Sequence, residues 1–575
     1  MNWDKQNVLA VIIGAAALIF WYMYAPKMTG ETSSPAAPAA VQTQPSAAQS
    51  SAAVPATPAG KAAVTVADMP SVSITANGST YSIRPVSGTV EKVTFDEKFL
   101  KNDRTGALEL VNEYPQLAKL SSACGTMGLC SSNGVLTTVK VLQSRKINDH
   151  EYLLVRQMRD TSGNEFTVMT TFKAVENYQL KVSMQFVNTS NQALNVPSLL
   201  ISGGDLQQWH RMSGDQKSAS QELHTVEYCT VNGKTKYEEA NADSDDWSEL
   251  NGKQVRWFGV ANRFFVLLMK SPEAVKMQFE RVENPSGSKE FTVSCAAVCD
   301  GFALAPKASK ELVFDYYLGP KYPETLRSFD SEASETMHLG WFPIDFLAYI
   351  MLAVLNWLHG FVGSFGWSII LLTLLIRTIF FPVTMKANAS MREMQVLSPK
   401  LKEIREKYKD EPMVAQTKMS ELYREHHVNP LGGCLPMLIQ IPVFIALYYA
   451  LGSAAELRMQ SFLWIKDLAQ PDTVAHVLGI AINPLIIAWT LLMVVQQKLT
   501  PTAMDPMQAK VMLAMPLVML FILYSLPSAL TLYWTVSQIF SIAQMLYQNK
   551  LKKHEDARRQ EKEQEKTEKP KIVRS

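Results

Sequence analysis

The run Trp367-Ser-Ile-Ile-Leu-Leu-Thr-Leu-Leu-Ile-Arg377-Thr-Ile-Phe-Phe-Pro382 is apolar along most of its length and carries a single charge, Arg377. Its length and composition predict a membrane-spanning helix. A charge near the centre of such a helix costs roughly 3 kcal/mol on insertion scales, and no acid lies within one helical turn to neutralise it. We therefore predict that Arg377 faces water, a ligand or a partner chain in a partly polar groove.

The composition of the whole chain fits this reading. Of its 575 residues, 47% are hydrophobic and 19% are charged, and the net charge is +2. Because this balance gives no global basic field, DNA is not an expected partner. The charge is segregated, since residues 386–425 and 550–574 are dense with it and long apolar stretches separate them. This pattern predicts a polytopic α-helical membrane protein with soluble parts.

The first apolar stretch, residues 8–24, is long enough for a membrane anchor, and a cleaved signal peptide is the alternative. Large residues crowd its exit at Phe20–Tyr24 and no A-x-A cleavage site follows, which favours the uncleaved anchor. Residues 25–63 contain an Ala-, Pro- and Ser-rich segment that cannot build a core, so they are predicted to form a flexible linker.

Residues 64–326 are polar and have the alternation of β-strands, for example in Phe166–Phe172 and Tyr178–Phe186. Turn signals such as Asn77-Gly78 separate the alternating runs. Many short strands with turns predict a large all-β sandwich domain.

Five of the six cysteines fall in this region, and none forms a CxxC motif. Short disulfides Cys124–Cys130 and Cys295–Cys299 are possible if the domain lies outside the cytoplasm, and buried free thiols, including Cys229, are the alternative.

The remaining apolar segments and the placement of Lys and Arg predict six transmembrane helices with both termini in the cytoplasm. Residues 327–364 are assigned to an amphipathic helix on the membrane surface outside the cytoplasm, because a further span there would invert the C-terminal half against its charges. The predicted order is a cytoplasmic N-terminus (1–7), anchor (8–24), linker (25–63), periplasmic β domain (64–326), surface helix (327–364), span 2 (365–383), cytoplasmic helical hairpin (384–428), span 3 (429–452), periplasmic loop (453–476), span 4 (477–497), cytoplasmic loop (498–510), span 5 (511–526), span 6 (529–547) and charged cytoplasmic tail (548–575).

Several polar residues accompany Arg377 inside the predicted spans. Thr373 lies four residues earlier on the same helical face, Gln440 lies in span 3, and Tyr533, Ser537 and Ser541 form an i, i+4, i+8 stripe in span 6. Such residues can line a groove with Arg377, or they can hydrogen-bond neighbouring helices to one another.

The hairpin at 384–428 carries a narrow apolar stripe on each arm and several methionines, among them Met391, Met394, Met413 and Met419. Flexible methionine side chains suit contact with varied apolar clients, whereas ordinary hairpin core is the alternative for any one of them.

No catalytic constellation, nucleotide loop, metal motif or acid pair occurs in the predicted spans, so neither enzyme activity nor a cofactor is predicted. Two functional hypotheses remain open from the residues alone. The first is a transporter that uses Arg377 to bind an anionic solute. The second is a sugar-binding β domain using residues such as His210, Asp215 and His224.

The C-terminal half resembles a known family in several motifs that occur in order. They are Ile369–Arg377, Pro382, Asn429–Pro436, Gln440–Tyr448, Asp505–Lys510 and Leu526–Trp534. Together they closely resemble the YidC membrane protein insertase family over residues 342–551. The N-terminal arrangement of anchor, linker and β domain is similar to the Gram-negative form of that family, whose periplasmic domain is a β-supersandwich.

The resemblance implies a five-helix core with a hydrophilic groove open to the cytoplasm and to lipid, in the bacterial inner membrane. Arg377 matches the groove arginine, Thr373 matches a groove position that contacts substrate, and Tyr533-Trp534 matches the client-contacting aromatic site. The implied function is insertion of nascent or small membrane proteins without nucleotide hydrolysis. The implied partners are these clients, the Sec translocon, ribosome and signal recognition particle components, and membrane lipids.

Overall fold

A computed structural model describes residues 69–95, 109–111, 129–131, 136–160, 162–207, 225–239, 247, 249–283, 291–426, 435–499 and 506–568 of the chain. The predicted anchor and linker, and Cys124 of the first possible disulfide, lie outside these residues. All described residues belong to one compact unit that spans Val66–Ser575.

The region between residues 72 and 320 is built from strands, which confirms a β-rich domain ahead of the helical half. The strands are β1 Val72–Ala76, β2 Ser79–Arg84, β3 Thr89–Phe95, β4 Glu109–Val111, β5 Leu129–Ser131, β6 Thr137–Asn148, β7 Glu151–Arg159, β8 Glu165–Val175, β9 Gln179–Val187, β10 Leu194–Val196, β11 Leu199–Gln207, β12 Thr225–Thr230, β13 Thr235–Glu239, β14 Gln254–Ala261, β15 Phe265–Glu283, β16 Phe291–Cys299, β17 Phe302–Leu304 and β18 Ser309–Pro320.

The large sheet runs β13-β12-β14-β15-β18-β9-β8-β7-β6, and β16, β11 and β5 extend from β15. Strands β7, β8 and β9 alternate strictly between buried and less buried residues, because one face covers the core and the other faces out. A separate four-stranded sheet, β1-β2-β3-β4, packs Ile74, Tyr81 and Val93 into the same core.

The long strand β15 joins the two parts of the large sheet. Its first part, Phe265 to Lys270, pairs with β18, and its second part, Lys276 to Glu283, pairs with β16. Pro272 lies between the two parts, where it cannot donate a ladder hydrogen bond. The change of partner at this proline is what lets one strand serve both parts of the sheet.

The possible disulfide between Cys295 and Cys299 is wrong, since both residues are free thiols. They lie four positions apart on β16. An extended strand therefore separates them by roughly 13 Å, and a disulfide needs Cα atoms within about 7 Å. Cys229 is also a buried free thiol.

Helices make up most of the chain after residue 322. They are α1 Pro323–Phe329, α2 Ile344–Val362, α3 Phe365–Lys407, α4 Pro412–Glu425, α5 Leu435–Ser453, α6 Pro484–Leu499, α7 Pro506–Ile522 and α8 Ser528–Glu568. A short hairpin, β19 Ala475–Val477 and β20 Ile480–Ile482, precedes α6.

Two of the described helices, Ile344–Val362 and Phe365–Met385, are long and apolar enough to cross a membrane. The predicted count of six spans is not confirmed. Helix α2 passes the same test of length and composition as α3, so composition alone does not distinguish a surface helix from a span. Its assignment to the membrane surface stays a prediction.

Two predicted boundaries differ from the structure. Span 4 was predicted to begin at 477, but Leu478 and Gly479 adopt positive φ angles that turn the chain into the β19–β20 hairpin. The helix starts only at Pro484, whose fixed φ and missing N–H suit a first helical turn. Span 2 and the first hairpin arm are one continuous helix, because α3 passes through Pro382 and Pro399 without ending.

The loop between α5 and α6 packs on the start of α3 and on the β domain. A Cβ at Gly366 would lie 2.1 Å from the ring of Phe462, so only glycine permits this approach. Arg263, in the turn between β14 and β15, donates to the carbonyl oxygens of Gly452 (3.2 Å) and Ala469 (3.1 Å). The β domain is thus bonded directly to the end of α5 and to the loop.

Glu456, in the same loop, gives a pH-dependent prediction. One of its carboxylate oxygens is buried without a hydrogen-bond partner among the described residues, and the other accepts a hydrogen bond from Asn356 at 3.4 Å. Burial raises the pKa of this carboxyl to about 7. The folded protein therefore holds the proton more tightly than the unfolded chain, and the destabilisation grows from about pH 4.5, the usual glutamate pKa, and is complete above pH 7.

We expect Glu456→Gln to raise the thermal unfolding midpoint at pH 8 much more than at pH 5. The free energy of unfolding at pH 8 should rise by up to roughly 3 kcal/mol, since one pKa unit corresponds to ~1.4 kcal/mol. Scanning fluorimetry of the full-length protein in detergent measures the unfolding midpoints, with Glu273→Gln at an exposed site as the control. A gain that is equal at both pH values would contradict the prediction.

Candidate functional site

Arg377 lies half-buried on α3, where that helix faces α8. Its Nε donates to the hydroxyl of Ser537 on α8 at 2.7 Å, and its Nη2 donates to the same oxygen. Within the part of the chain that the structure describes, no carboxylate lies within ion-pair distance of this guanidinium. A guanidinium whose only partner is a hydroxyl is incompletely solvated, and water or an anion nearby would stabilise it.

A small cleft opens beside the guanidinium. It is lined by Ile376, Arg377, Phe380, Val383, Thr384, Gln440, Val443 and Tyr533. Its volume is about 40 Å³, which is room for roughly three water molecules. Four of the lining side chains are polar and four are apolar. The cleft can therefore accept a short polar segment while its walls stay compatible with an apolar helix.

The structure brings together four of the six residues that the sequence analysis placed in the groove. Arg377, Gln440 and Tyr533 line the cleft and Ser537 binds Arg377, so three helices contribute. Their roles in binding a client stay predictions.

Thr373 is placed differently. It is fully buried, its hydroxyl donates to the carbonyl of Ile369 on its own helix at 2.7 Å, and it does not line the cleft. It lies one turn closer than Arg377 to the start of α3. The cleft residues of α3 run from Ile376 to Thr384, so the polar space extends from Arg377 toward the hairpin end of the helix.

Trp534 also lies outside the cleft, in an aromatic stack. Its ring is parallel to Phe444 at a centroid distance of 5.0 Å and lies 5.2 Å from Trp489. The stack joins α5, α6 and α8. Of the Tyr533-Trp534 pair, Tyr533 is therefore the residue that lines the cleft with Arg377, and Trp534 packs on other aromatic rings.

Other polar residues link helices, as the alternative in the sequence analysis proposed. The amide of Gln538 on α8 donates to Gln496 on α6. Thr535 donates to the carbonyl of Leu485 at 3.4 Å and to that of Thr531 at 2.8 Å. The bonds of Gln538 to Gln496 and of Thr535 to Leu485 fix α6 against α8. Ser541, the last residue of the predicted stripe, bonds within α8 instead, where it donates to the carbonyl of Ser537 at 3.0 Å.

The hairpin consists of the C-terminal part of α3 and of α4. Leu397 and Leu401 are its buried core, and Met394, Met419, Leu422 and Tyr423 pack against them. Met394 and Met419 are therefore hairpin core, whereas Met413 is 76% exposed. The side chain of Met391 lies outside the described residues.

Sequence reasoning missed Phe380, Val383 and Thr384 as cleft residues. Thr384 follows Pro382, which was taken as the end of the span, so it was counted with the hairpin. The i, i+3 and i+7 spacing of Arg377, Phe380 and Thr384 was the available signal, since these positions share a helical face. Among the described residues, no group of three or more His, Cys, Asp or Glu side chains could hold a metal ion.

The fold and the cleft are those of a protein with helices apolar enough to cross a membrane, a small polar cleft beside one of them and a large β domain. Two family models match consecutive parts of the chain. The model described as YidC periplasmic domain matches residues 71–354, and the one described as 60Kd inner membrane protein matches residues 357–556.

Curated relatives extend these matches to nearly the whole chain. The chain is 36% identical over 396 residues to the membrane protein insertase YidC of Pelobacter propionicus, covering 68% of this chain and 70% of that protein. It is 30% identical over 570 residues to the membrane protein insertase YidC of Geotalea daltonii, covering 95% and 99% respectively. The chain belongs to the YidC membrane protein insertase family, with the family's periplasmic β domain and inner-membrane helices.

Solved structures give weaker similarities. An active YidC insertase crystal structure with its first transmembrane domain resolved has a TM-score of 0.33 and 19% identity, covering 83% of this chain and 92% of that one. A galactose mutarotase-like protein from Lactobacillus casei has a TM-score of 0.29 and 9% identity, covering 43% of this chain and all of that one. The second likeness concerns the β domain alone and gives no support to a sugar site, and His210, Asp215 and His224 lie outside the described residues.

The bond between Arg377 and Ser537 gives a prediction about stability. Ser537→Ala removes the one acceptor that the described residues offer to a half-buried guanidinium, and we expect a loss of about 1–3 kcal/mol in unfolding free energy. Ser541→Ala is the matched control on the same helix, because the Ser541 hydroxyl bonds only its own helix. Thermal unfolding of the two purified variants in detergent measures the difference. Equal midpoints would show that the bond contributes nothing.

Proposed function

We propose that this protein is a membrane protein insertase and chaperone that receives nascent or small membrane proteins in the cleft beside Arg377 and releases their helices into lipid. One observation carries the proposal: Arg377 lies in an apolar helix, has only the Ser537 hydroxyl as a described partner and borders a cleft. Its relatives are named membrane protein insertases. A half-buried arginine without a carboxylate partner would attract a polar or acidic segment that must enter the membrane.

The direction of the cleft supports entry from the hairpin side. The polar wall runs from Arg377 to Thr384, toward the part of α3 that continues into the hairpin. One turn nearer the start of α3, Thr373 is fully buried and does not line the cleft. A client tail can replace part of its lost hydration at Arg377, Gln440 and Tyr533.

The driving forces are physical and need no nucleotide. An acidic tail is attracted to Arg377 more strongly than in bulk water because the local dielectric is low. The apolar part of the client gains by transfer into lipid. A membrane potential adds about 2.3 kcal/mol per charge per 100 mV for an acidic tail moving outward.

The exposed outer face of the hairpin fits a role in receiving clients. Met413 (76% exposed) and Val396 (69% exposed) present apolar surface there. We propose that the hairpin and both termini lie in the cytoplasm, that residues 25–364 are periplasmic, and that the six predicted spans cross the inner membrane. The proposed partners are nascent clients, the Sec translocon, and ribosome and signal recognition particle components.

Replacing Arg377 tests the role of the groove charge. We expect Arg377→Ala in proteoliposomes to slow insertion of a small client with an acidic translocated tail by roughly tenfold or more, since the pair interaction it removes is worth several kcal/mol at intermediate dielectric. Arg377→Lys should keep part of the activity, because it keeps the charge but not the guanidinium geometry. Protease protection of the translocated tail is the measurement.

The control for this experiment is on the client. The same client with its tail acids changed to Asn and Gln should be inserted by Arg377→Ala and by the unaltered protein at similar rates. Normal insertion of acidic and neutral tails alike by Arg377→Ala would remove the groove charge from the mechanism.

Crosslinking tests the path of the client. A photoreactive amino acid at position 440 should form adducts with a ribosome-bound nascent membrane protein at short chain lengths, and these should fade as the client enters lipid. Position 491 on α6 is the control, since Leu491 is 61% exposed and does not line the cleft. Adducts of equal strength at 440 and 491 would indicate contact through lipid, and the cleft would not be the path.

A further inference from the structure

A second and larger cavity lies where the β domain meets the helices. Its volume is about 650 Å³, which is within the range of pockets that hold small ligands. Its walls come from β13, from the segment that leads into α2, from the end of α5 and from the start of α8. It is separate from the cleft at Arg377, since the two share no lining residue.

The amine of Lys321 reaches this cavity from the β domain. The residue is 1% exposed, and no hydrogen bond or ion pair joins its Nζ to any residue that the structure describes. Glu227 is near enough to attract the amine. The Oε1 atom of Glu227 accepts hydrogen bonds from Thr225 and from His338, the latter at 2.6 Å, and its Oε2 atom has no hydrogen-bond partner among the described residues, so no bond joins this carboxylate to Lys321. A buried ammonium without a bonded partner is destabilising unless a ligand supplies an anion.

The cavity also presents acids, so a simple anion does not fit it. Asp345, Glu335 and Glu239 lie on its wall, and Arg263 is already engaged with two carbonyls. A ligand with only a phosphate would face the carboxylates without compensation, and one with only an amine would leave Lys321 unpaired. The lysine and the carboxylates of this cavity are therefore complementary to a ligand that carries both an anionic and a cationic group.

The surroundings of the cavity indicate that this ligand comes from the membrane. Trp341, on the cavity wall, is 47% exposed, and the adjoining Phe342 and Phe346 are 81% and 61% exposed. Aromatic side chains of this kind favour the level of lipid headgroups. They continue from the cavity onto α2, which is apolar enough to lie in or on a bilayer.

We propose that this cavity binds the headgroup of a phospholipid that carries a phosphate and a primary amine. Lys321 binds the phosphate, Asp345 and Glu335 bind the ammonium, and the acyl chains lie along Phe342 and Phe346. The lipid thereby fills the junction between the β domain and the helices. This site is independent of the insertion cleft.

Native mass spectrometry of the full-length protein, delipidated in detergent, tests the site with dihexanoylphosphatidylethanolamine as the probe. We expect Lys321→Met to weaken its binding by roughly tenfold or more, because a hydrogen bond between two charged groups is lost. Lys253→Met, at an exposed site of the same domain, removes the same charge and should bind as the unaltered protein does. Asp345→Asn should narrow the preference for this lipid over dihexanoylphosphatidylglycerol, which has no amine.

Each other outcome has a defined meaning. Thermal unfolding of Lys321→Met without lipid shows whether this variant is folded at the temperature of the binding measurement, and weaker binding by the folded variant cannot be ascribed to unfolding. Should that variant not fold, Lys321→Gln replaces it. Equal binding by the Lys321 and Lys253 variants overturns the site. Equal binding of free phosphoethanolamine and of the lipid keeps the headgroup chemistry but overturns the membrane as its source.

Discussion

The solvation of one guanidinium constrains the helical half of this protein. Arg377 sits in a helix that is otherwise apolar for four turns, and the Ser537 hydroxyl alone bonds it among the described side chains. Because this guanidinium is incompletely solvated, polar side chains from three helices line the small cleft beside it. They are Gln440, Tyr533 and Thr384. The same requirement explains why the helices leave a cleft here and do not pack tightly, since packing apolar atoms against the guanidinium would remove its hydration. The apposition of α3 and α8 follows from the same bond.

The helical core is layered along the direction of its helices. On α3, α5 and α8 the polar residues Arg377, Gln440 and Ser537 occupy one layer. One turn away on each helix lie Thr373, Phe444 and Trp534, which are buried or stacked. Beyond them Phe462 covers Gly366 at the start of α3. The cleft residues of α3 run from Ile376 to Thr384, so the polar layer extends toward the hairpin. An asymmetric cavity of this form suits a protein that takes a segment from one side and releases it sideways.

Much of this could be read from the sequence, and the failures have physical causes. The isolated charge of Arg377 and the i, i+4 spacing of Tyr533 and Ser537 predicted a polar face, because helical periodicity fixes which residues share a side. Periodicity does not say how far along the helix a neighbour stays in contact, so it could not show that Thr373 is buried while Arg377, one turn away, lines the cleft. The start of α6 was missed because an apolar strand in a hairpin and the first turn of a span have the same composition, and only the positive φ at Leu478 and Gly479 separates them. The Cys295–Cys299 pairing failed because sequence proximity does not imply spatial proximity in an extended strand.

The β domain contacts the helices at one of their two ends. Arg263 holds the carbonyls of Gly452 and Ala469, while Ser528 and Ala529 at the start of α8 donate their backbone N–H groups to Gln470 and Leu468 of the same loop. The C-terminal end of α5 and the N-terminal end of α8 are thereby tied to the same loop, and α5 and the loop are tied to the turn between β14 and β15. Toward the hairpin, α8 is instead bonded to α3, since the side-chain amide of Gln548 donates to the sulfur of Met385. The β domain thus holds α5, α8 and the loop at one end of the helices, whereas the cleft residues of α3 extend toward the other end, as far as Thr384. The domain can therefore fix the helices that border the cleft without contacting a client.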